Sequence, residues 1–361
     1  MSLEKNRIII IFSIIVFFTT LTIRSHAAII YITSIDVGKQ QKVTQKDIFR
    51  IVFYNVENFF DTICSKDYIA FSREGSYHWT KNRYYKKLNN ISKAMYNCGN
   101  FDAPDMIGVC EVESKQVLED LCKKTILNKF SYRYLHIEDR DPRGIEVALL
   151  YKPDVFNLIS YEYIDLSIDT SVYIARRALL AKFCLDSSDT IAILVNHWPS
   201  RYSGLNRTQE KRNSAAKVIK SVCRELLSDL RYLVIMGDFN DEPDSESLLE
   251  ITGTKSDTIY YPENKYIYNS FLFNPKPNKG SIKRKGRWYY FDQILFSSPF
   301  ISNSSLTIKN SKAKLVEECF LLEEDPKYPG YRPSRTYNGM RYNGGYSDHL
   351  PVYIDIIRTK E

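Results

Sequence analysis

Tyr232-Leu-Val-Ile-Met-Gly-Asp-Phe-Asn-Asp241 is an apolar run stopped by a glycine and followed at once by acidic and amide residues. Tyr232 to Met236 reads as a buried strand, because aromatic and β-branched side chains suit a pleated surface and Gly237 ends the run. Alone, Gly-Asp-Phe-Asn is also ordinary turn chemistry. It gains weight because the pattern recurs. Ile51-Val52-Phe53-Tyr54 ends in Asn55-Val56-Glu57-Asn58, and the strand from Asp105 to Cys110 ends in Glu111-Val112-Glu113. Ile191 to Val195 ends in Asn196-His197-Trp198-Pro199. A strand read from Trp288 to Phe296 carries Asp292 amid Tyr289, Tyr290 and Phe291, and the last strand, Pro351 to Ile357, follows Ser347-Asp348-His349. In α/β folds ligands bind at strand ends, where loops converge on one pocket.

Helices lie between these strands. Arg83 to Met95 places Leu88, Ile91 and Met95 near helical spacing, Ser114 opens a second helix through Lys124, and Ile145 to Tyr151 is a further strand. Arg207 to Leu230 is the best helix, with Ala215, Val218, Ile219, Val222 and Leu226 on one stripe. The mixed order, with few clean βαβ units, predicts α/β packing with mixed or antiparallel sheets in one domain over residues 48–357. Residues 28–47 read as a polar lead-in.

The chain has 361 residues, 44% of them hydrophobic, which is too high a share for disorder. Lys5 and Arg7 precede the apolar stretch Ile8 to Ile23 and then Arg24-Ser25-His26-Ala27-Ala28, the pattern of a secretory signal over residues 1–27 cleaved after Ala27. The stretch is shorter than the ~20 residues a spanning helix needs. Cleavage removes three basic side chains and one acidic one, so the net charge falls from +7 to +5. The mature chain is then expected in the periplasm or outside the cell, without a stable membrane span. Its modest charge permits an anionic partner but is far below that of a histone-like binder. Nothing points to an obligate protein partner. The seven cysteines have no C-x-x-C spacing, so no disulfide framework is expected, although an oxidising compartment allows one bridge. Cys110 and Cys184 lie in apolar runs and read as small buried hydrophobes.

Glu57, Glu111 and Asp348 offer hard carboxylate oxygens without a thiolate, which favours Mg²⁺, Mn²⁺ or Ca²⁺ over zinc. Such a cation can neutralise charge on a phosphoryl transition state. Asp238 and Asn240 can orient and deprotonate water. His349 can contact phosphate as a cation or act as acid–base with Asp292 fixing its ring, and His197 would contribute from the opposite side. An ionised Asp292 within an apolar run is costly unless paired, which also suggests a function. No P-loop, H-E-x-x-H or G-x-S-x-G motif competes. Hydrolysis of a phosphate ester is the reaction class expected.

The ordered series Asn55-Val56-Glu57-Asn58, Cys110-Glu111-Val112-Glu113, Arg143-Gly144, Asn196-His197-Trp198-Pro199, Gly237-Asp238-Phe239-Asn240, Asp292 and Ser347-Asp348-His349 resembles the endonuclease/exonuclease/phosphatase superfamily. The resemblance implies a four-layer α/β sandwich, two central mixed sheets flanked by helices, with the site at one end. It implies Glu111 as principal metal ligand, with Asn55 and Asp348 near the metal and Glu57 a less certain member, since aspartate is frequent there in some branches. Asp238 would activate water beside Asn240, and Asp292 and His349 would form a carboxylate–imidazole pair. His197 matches a position that is histidine in secreted deoxyribonucleases. Asn196, Arg143 and Arg176 are candidates for phosphate contact, the two arginines being alternatively ordinary salt-bridge partners.

The substrate expected first is DNA or RNA, cut by an endonuclease. The Lys/Arg-rich loop at 274–287 would track a nucleic-acid backbone, or else be a solvated surface loop. A second loop, Tyr328 to Tyr346, carries Arg332, Arg335 and Arg341 and runs straight into Asp348-His349, where it can line the site. Other readings are a sphingomyelinase-like phospholipid phosphodiesterase, a small-molecule phosphatase and, last, a non-catalytic binding protein on the same fold.

Overall fold

Side chains that alternate between two apolar environments make the strands of a sandwich, because each strand must bury one face against a second sheet and the other against helices. The chain follows this rule throughout its computed structural model. The structure describes residues 46–359 apart from 64–68, 100–101, 137–143, 169–171, 186–188, 202–203, 274, 277 and 303. The expected signal over 1–27, nearly all of the lead-in, Cys64 and Arg143 lie outside the described residues.

The chain begins with β1 (Ile48–Phe59), α1 (Lys81–Asn97), β2 (Met106–Val112), α2 (Lys115–Lys124), β3 (Arg133–Leu135) and β4 (Glu146–Tyr151). It continues through β5 (Asn157–Asp165), β6 (Arg177–Cys184), β7 (Thr190–His197), α3 (Leu205–Asp229), β8 (Tyr232–Asp238), α4 (Glu246–Thr252) and β9 (Ile267–Asn269). The hairpin strands β10 (Ile282–Arg284) and β11 (Arg287–Tyr289) precede β12 (Asp292–Ser297), β13 (Leu306–Ile308) and β14 (Lys314–Leu315). Two more hairpins, β15 (Leu322–Glu324) with β16 (Tyr331–Pro333) and β17 (Tyr337–Asn338) with β18 (Arg341–Tyr342), lead to β19 (Val352–Arg358).

One sheet has the order β13–β19–β1–β2–β4–β3, with β14 also on β19, and the other β5–β6–β7–β8–β12–β9. Each holds a single parallel pair, β1 with β2 and β7 with β8, so both are mixed. Between them lies the largest core, built from Phe49, Ile51 and Phe53 of β1 against Val195, Val234, Met236 and Ile294. The packing is tight enough that a Cβ on Gly108 would come within 2.6 Å of Met236. The outer face of the first sheet packs on α1 and α2 through Leu88, Ile91, Met95, Leu118 and Leu121. The outer face of the second packs on α3 and α4 through Ala216, Ile219, Cys223, Leu248 and Ile251. These are the four layers that the resemblance implies.

Thr80 caps α1, its hydroxyl accepting from the Arg83 N–H. The buried stripe of α3 is rotated from the one expected. Ala215, Ile219 and Leu226 are buried, but Val218 and Val222 are half-exposed, and Arg212, Ala216 and Cys223 take the inner face. The strand expected over Trp288–Phe296 is two, because the backbone at Tyr290–Phe291 leaves the β10–β11 hairpin to join the sheet. There Tyr290 N–H donates to Glu242, and Phe291 C=O accepts from Phe239 N–H. Part of the basic loop is therefore strand. Cys98, Cys110, Cys122, Cys223 and Cys319 are free thiols, and Cys184 is half-buried rather than buried. Among the described residues no helix is long and apolar enough to cross a membrane.

Candidate active site

The core between the sheets ends in polar groups. Along β1 the inward series Phe49, Ile51, Phe53 continues with Asn55, and along β7 Ile191, Ile193, Val195 continues with His197. On β8, Tyr232, Val234 and Met236 lead to Asp238. Antiparallel β12 begins with Asp292 before its inward residues Ile294 and Phe296. Register brings them level: Asp238 pairs with His197 on one side and with Asp292 on the other. The adjoining row needs Gly237, since a Cβ there would meet the Asn196 carbonyl oxygen at 2.5 Å. Period-two alternation thus delivers four functional side chains to one end of one core.

Glu111 arrives by a different route. Following Cys110, which points inward, alternation alone would turn it outward. Instead the β2–β4 register shifts between Cys110 and Val112, and Glu111 adopts φ 67°, swinging its carboxylate into the cleft. Asn58 and Asn240 are also left-handed (φ 45° and 51°), and such strain in non-glycine residues gathers at functional sites.

These groups bond to one another across the two sheets. Asn55 Nδ2 donates to Asp238 Oδ2 at 3.0 Å and lies 3.4 Å from Glu111 Oε1. Glu111 Oε2 accepts from Asn58 N–H at 2.7 Å, and Asp238 Oδ1 accepts from Asn240 N–H at 2.9 Å. Two imidazoles flank Asp238 Oδ2, His349 Nε2 at 3.8 Å and His197 Nε2 at 3.9 Å. His349 Nδ1 bonds Asp292 Oδ2 at 2.6 Å, the pairing expected of a buried carboxylate. Asn58, Glu111, His197, Asp238, Asn240 and His349 line a cleft of about 340 Å³, together with Ser200, Arg176, Arg284, Arg335 and Asp348.

Burial alone would hold the His349 imidazole neutral. The facing carboxylates of Asp292, Asp238 and Asp348 outweigh it and raise its pKa to about 10. Burial also raises the Asp238 carboxyl, with His349 opposing the rise. Asp348 is held below its usual value because Arg335, His349 and Arg284 together overcome its desolvation. A folded pKa above the unfolded 6.5 means that the His349 pairing stabilises fully below pH 6.5 and is lost as pH rises through about 10. In metal-free protein the stability difference between wild type and His349→Asn should therefore shrink steadily across that window. Denaturant midpoints measured at several pH values check this, and a constant difference refutes it.

Two sequence expectations fall elsewhere. Glu57 does not line the cleft. It adopts φ 52°, its Oε2 accepts from Thr336 N–H at 2.7 Å, and its Oε1 lies 3.4 Å from Arg335, so it anchors a loop instead of facing the cation position. Burial and repulsion from Asp348 push its pKa up to about 7, with Lys87 and Arg335 pulling it back. Asn196 is fully buried, out of phase with His197, and its amide holds Trp198 Nε1 and the Leu194 carbonyl rather than reaching the cleft. In the basic loop, three of the cations are paired with carboxylates. Lys279 pairs with Glu317, Lys283 with Asp325 at 3.1 Å and Arg287 with Glu242 at 3.7 Å. Of the candidate arginines, Arg176 lines the cleft and donates to the Trp198 carbonyl.

Residues that the sequence reading did not single out complete the site. Arg284 and Arg335 belong to the two loops noted above, but nothing in composition distinguishes them from neighbouring cations. Asp241 holds the Asp238–Asn240 turn from behind: it accepts from Arg201 and Arg212 at 2.5 and 2.7 Å, while Arg201 Nε donates to the Asn240 carbonyl at 2.7 Å.

The donor set suits a hard divalent cation. Glu111 and Asp348 present partly exposed carboxylate oxygens to the cleft. Asp238, Asp292 and His349 also gather ligand atoms within 4.8 Å of one another. In that group, however, His349 Nδ1 is engaged by Asp292, which suits a proton-transfer pair better than a ligand set. Oxygen donors without thiolate favour Mg²⁺, Mn²⁺ or Ca²⁺.

A family model described as the Endonuclease/Exonuclease/phosphatase family matches residues 50–358. Among solved structures, the endonuclease/exonuclease/phosphatase from Bacteroides vulgatus is 15% identical, with 87% of this chain and 100% of that one covered and a TM-score of 0.55. TDP2 of D. rerio complexed with single-strand DNA product is 14% identical, covering 86% and 99%, with a TM-score of 0.53. A mannosyl-6-phosphatase of Bacteroides thetaiotaomicron is 15% identical, covering 86% and 99%, with a TM-score of 0.52. At these identities the likeness is one of fold. No curated protein matches the chain.

Proposed function

The chain belongs to the endonuclease/exonuclease/phosphatase family, and from that premise we propose that it is an exported, divalent-metal-dependent phosphoester hydrolase. The observation that carries this reading is Asp238, buried between two imidazoles, with Glu111 and Asp348 facing the same cleft.

Glu111 and Asp348, with Asn55 bridging from Glu111 to Asp238, would hold the cation, Mg²⁺ first and Mn²⁺ or Ca²⁺ as alternatives. When bound, the cation neutralises charge on the phosphoryl oxygens. Asp238 takes the proton of the attacking water, held by the Asn240 N–H and the Asn55 amide in one orientation. His349, kept cationic by Asp292, gives a proton to the departing oxygen, and His197 faces the phosphate from the other side. The O–P bond to water forms as the ester P–O bond breaks. The proton on Asp238 then returns to His349 across the 3.8 Å separating Oδ2 from Nε2. Export rests on Lys5, Arg7, the apolar run Ile8 to Ile23 and the small residues before the expected cleavage after Ala27.

The substrate panel is 4-nitrophenyl phosphate, its diester, supercoiled plasmid and sphingomyelin, each with Mg²⁺, Mn²⁺ or Ca²⁺. At least one ester should be cleaved with metal and none with EDTA, by protein recovered outside the cytoplasm with Ala28 as its first residue. Plasmid nicking would support the nuclease reading expected first, and sphingomyelin cleavage the phospholipid one. An inert protein across the whole panel leaves a binding protein on this fold.

A further inference from the structure

The geometry points to a terminal phosphate as the group this cleft takes, a monoester carrying two negative charges, with Arg284 and Arg335 as the residues that recognise it. The inference rests on the hydrolase reading and narrows it.

The two arginines come from different loops and line the same cleft. Arg335 is fixed from behind: its guanidinium donates to Asp348 Oδ2 at 2.8 Å and approaches Glu57 Oε1 at 3.4 Å. Glu57 is in turn tied to Thr336 N–H, and fully buried Lys87 donates to Thr336 Oγ1 at 2.5 Å and to the Tyr346 carbonyl at 3.3 Å. A buried carboxylate and a buried ammonium thus hold one loop in place, while the side chain of Arg335 remains 37% exposed toward the cleft. Arg284 stands on the β10–β11 hairpin, which is pinned to the site by the bridge between Ile282 and His349. Its guanidinium lies 5.4 Å over the Phe291 ring, a ring that also supports Arg201.

Charge then decides what fits between them. The carboxylates of Glu111, Asp238 and Asp348 at the cleft are matched in number by the guanidiniums of Arg176, Arg284 and Arg335. A divalent cation therefore leaves an excess of two positive charges, which a monoester dianion cancels and a diester cancels only by half. A monoester also offers three non-bridging oxygens to planar donors suited to phosphate, where a diester offers two. The lysines that would have followed a polymer away from the cleft are turned to Glu317 and Asp325. The reaction is that written above, with water and a phosphate monoester giving an alcohol and inorganic phosphate.

The test compares 4-nitrophenyl phosphate with methyl 4-nitrophenyl phosphate, which share a leaving group and differ by one charge. The wild-type protein should prefer the monoester in kcat/KM. Arg284→Gln and Arg335→Gln should each lower the monoester value about 10- to 100-fold, as loss of a charged donor does, and the diester value by a clearly smaller factor. In calorimetry on metal-free protein, each variant should bind inorganic phosphate about tenfold more weakly. Arg284 is on an exposed hairpin, so its variant keeps the fold even where Arg335→Gln disturbs Asp348. A better diester rate, equal losses on both esters or unchanged phosphate affinity would overturn the inference. If neither ester is hydrolysed, the monoester preference fails while plasmid and sphingomyelin still decide the hydrolase reading, and the phosphate titration decides whether the two arginines bind phosphate.

Discussion

Asp238→Asn should lower kcat by about 10²- to 10⁴-fold, the range for losing a positioned acid–base group, while leaving thermal stability level or raising it. The two effects have the same cause. Asp238 is 2% exposed, and its charge is sustained by Asn55, His349 and His197 rather than by water. Asparagine keeps the shape and the bond from Asn240 N–H to Oδ1, but it removes a buried charge that burial already disfavours. What disappears is a base able to accept a proton. His349→Ala should cost a similar factor, and the double variant little more than either alone, because the two groups transfer one proton between them. Steady-state rates on the best ester of the panel, with melting curves alongside, make the check. Activity within tenfold of wild type in a folded Asp238→Asn protein would remove Asp238 from the chemistry.

How far the sequence reveals this site depends on the phase of each strand. Asn55, His197, Asp238 and Asp292 continue inward series already visible as alternating apolar residues, so their convergence follows from period-two geometry once two sheets face each other. The same rule places Asn196 on the opposite face from His197, and there it serves Trp198. Glu57 breaks the rule. It lies two residues beyond Asn55 and should share its face, but left-handed φ values at Glu57 and Asn58 turn it toward Thr336. Glu111 breaks it in the other direction, through a bulge that no propensity announces. Its place at a strand end marked Glu111 as a candidate ligand, and the resemblance made it the principal one, but neither showed how it turns into the cleft. Strand β5 was not read either, since Asn157–Asp165 is an edge strand with half-exposed residues and no continuous apolar run. Arg335 stands 13 residues before its partner Asp348, on the loop whose direct run into Asp348-His349 already suggested that it lines the site, whereas Arg284 is placed by the β10–β11 hairpin, a tertiary fact with no local signal.

The structural counterpart of Asp238 is Asp241, and Asp241→Ala should destabilise the protein by about 3–5 kcal/mol, the cost of removing one partner from a buried ion pair. Asp241 is fully buried and so is Arg212, whose Nε lies 2.7 Å from Oδ2. Burial lowers the Arg212 guanidinium's affinity for its proton, with Asp241 opposing that effect, so Arg212 depends on this carboxylate for its charge. Ser247 Oγ donates to the same oxygen at 2.5 Å and Arg201 to the other at 2.5 Å. Alanine would leave both guanidiniums and the hydroxyl facing a void. Combining Asp241→Leu with Arg212→Met should recover much of the loss, because replacing both members of a buried pair by apolar groups avoids the unpaired charge. Activity should not recover with it. Arg201 would keep its bond to the Asn240 carbonyl but lose the carboxylate that fixes its own position, so the turn carrying Asp238 and Asn240 would no longer be held in place. Urea midpoints for the single and double variants, set beside kcat, separate the two roles. A single-variant loss below about 1 kcal/mol would mean that the Asp238–Asn240 turn holds its shape without Asp241, and the expected loss of kcat would go with it.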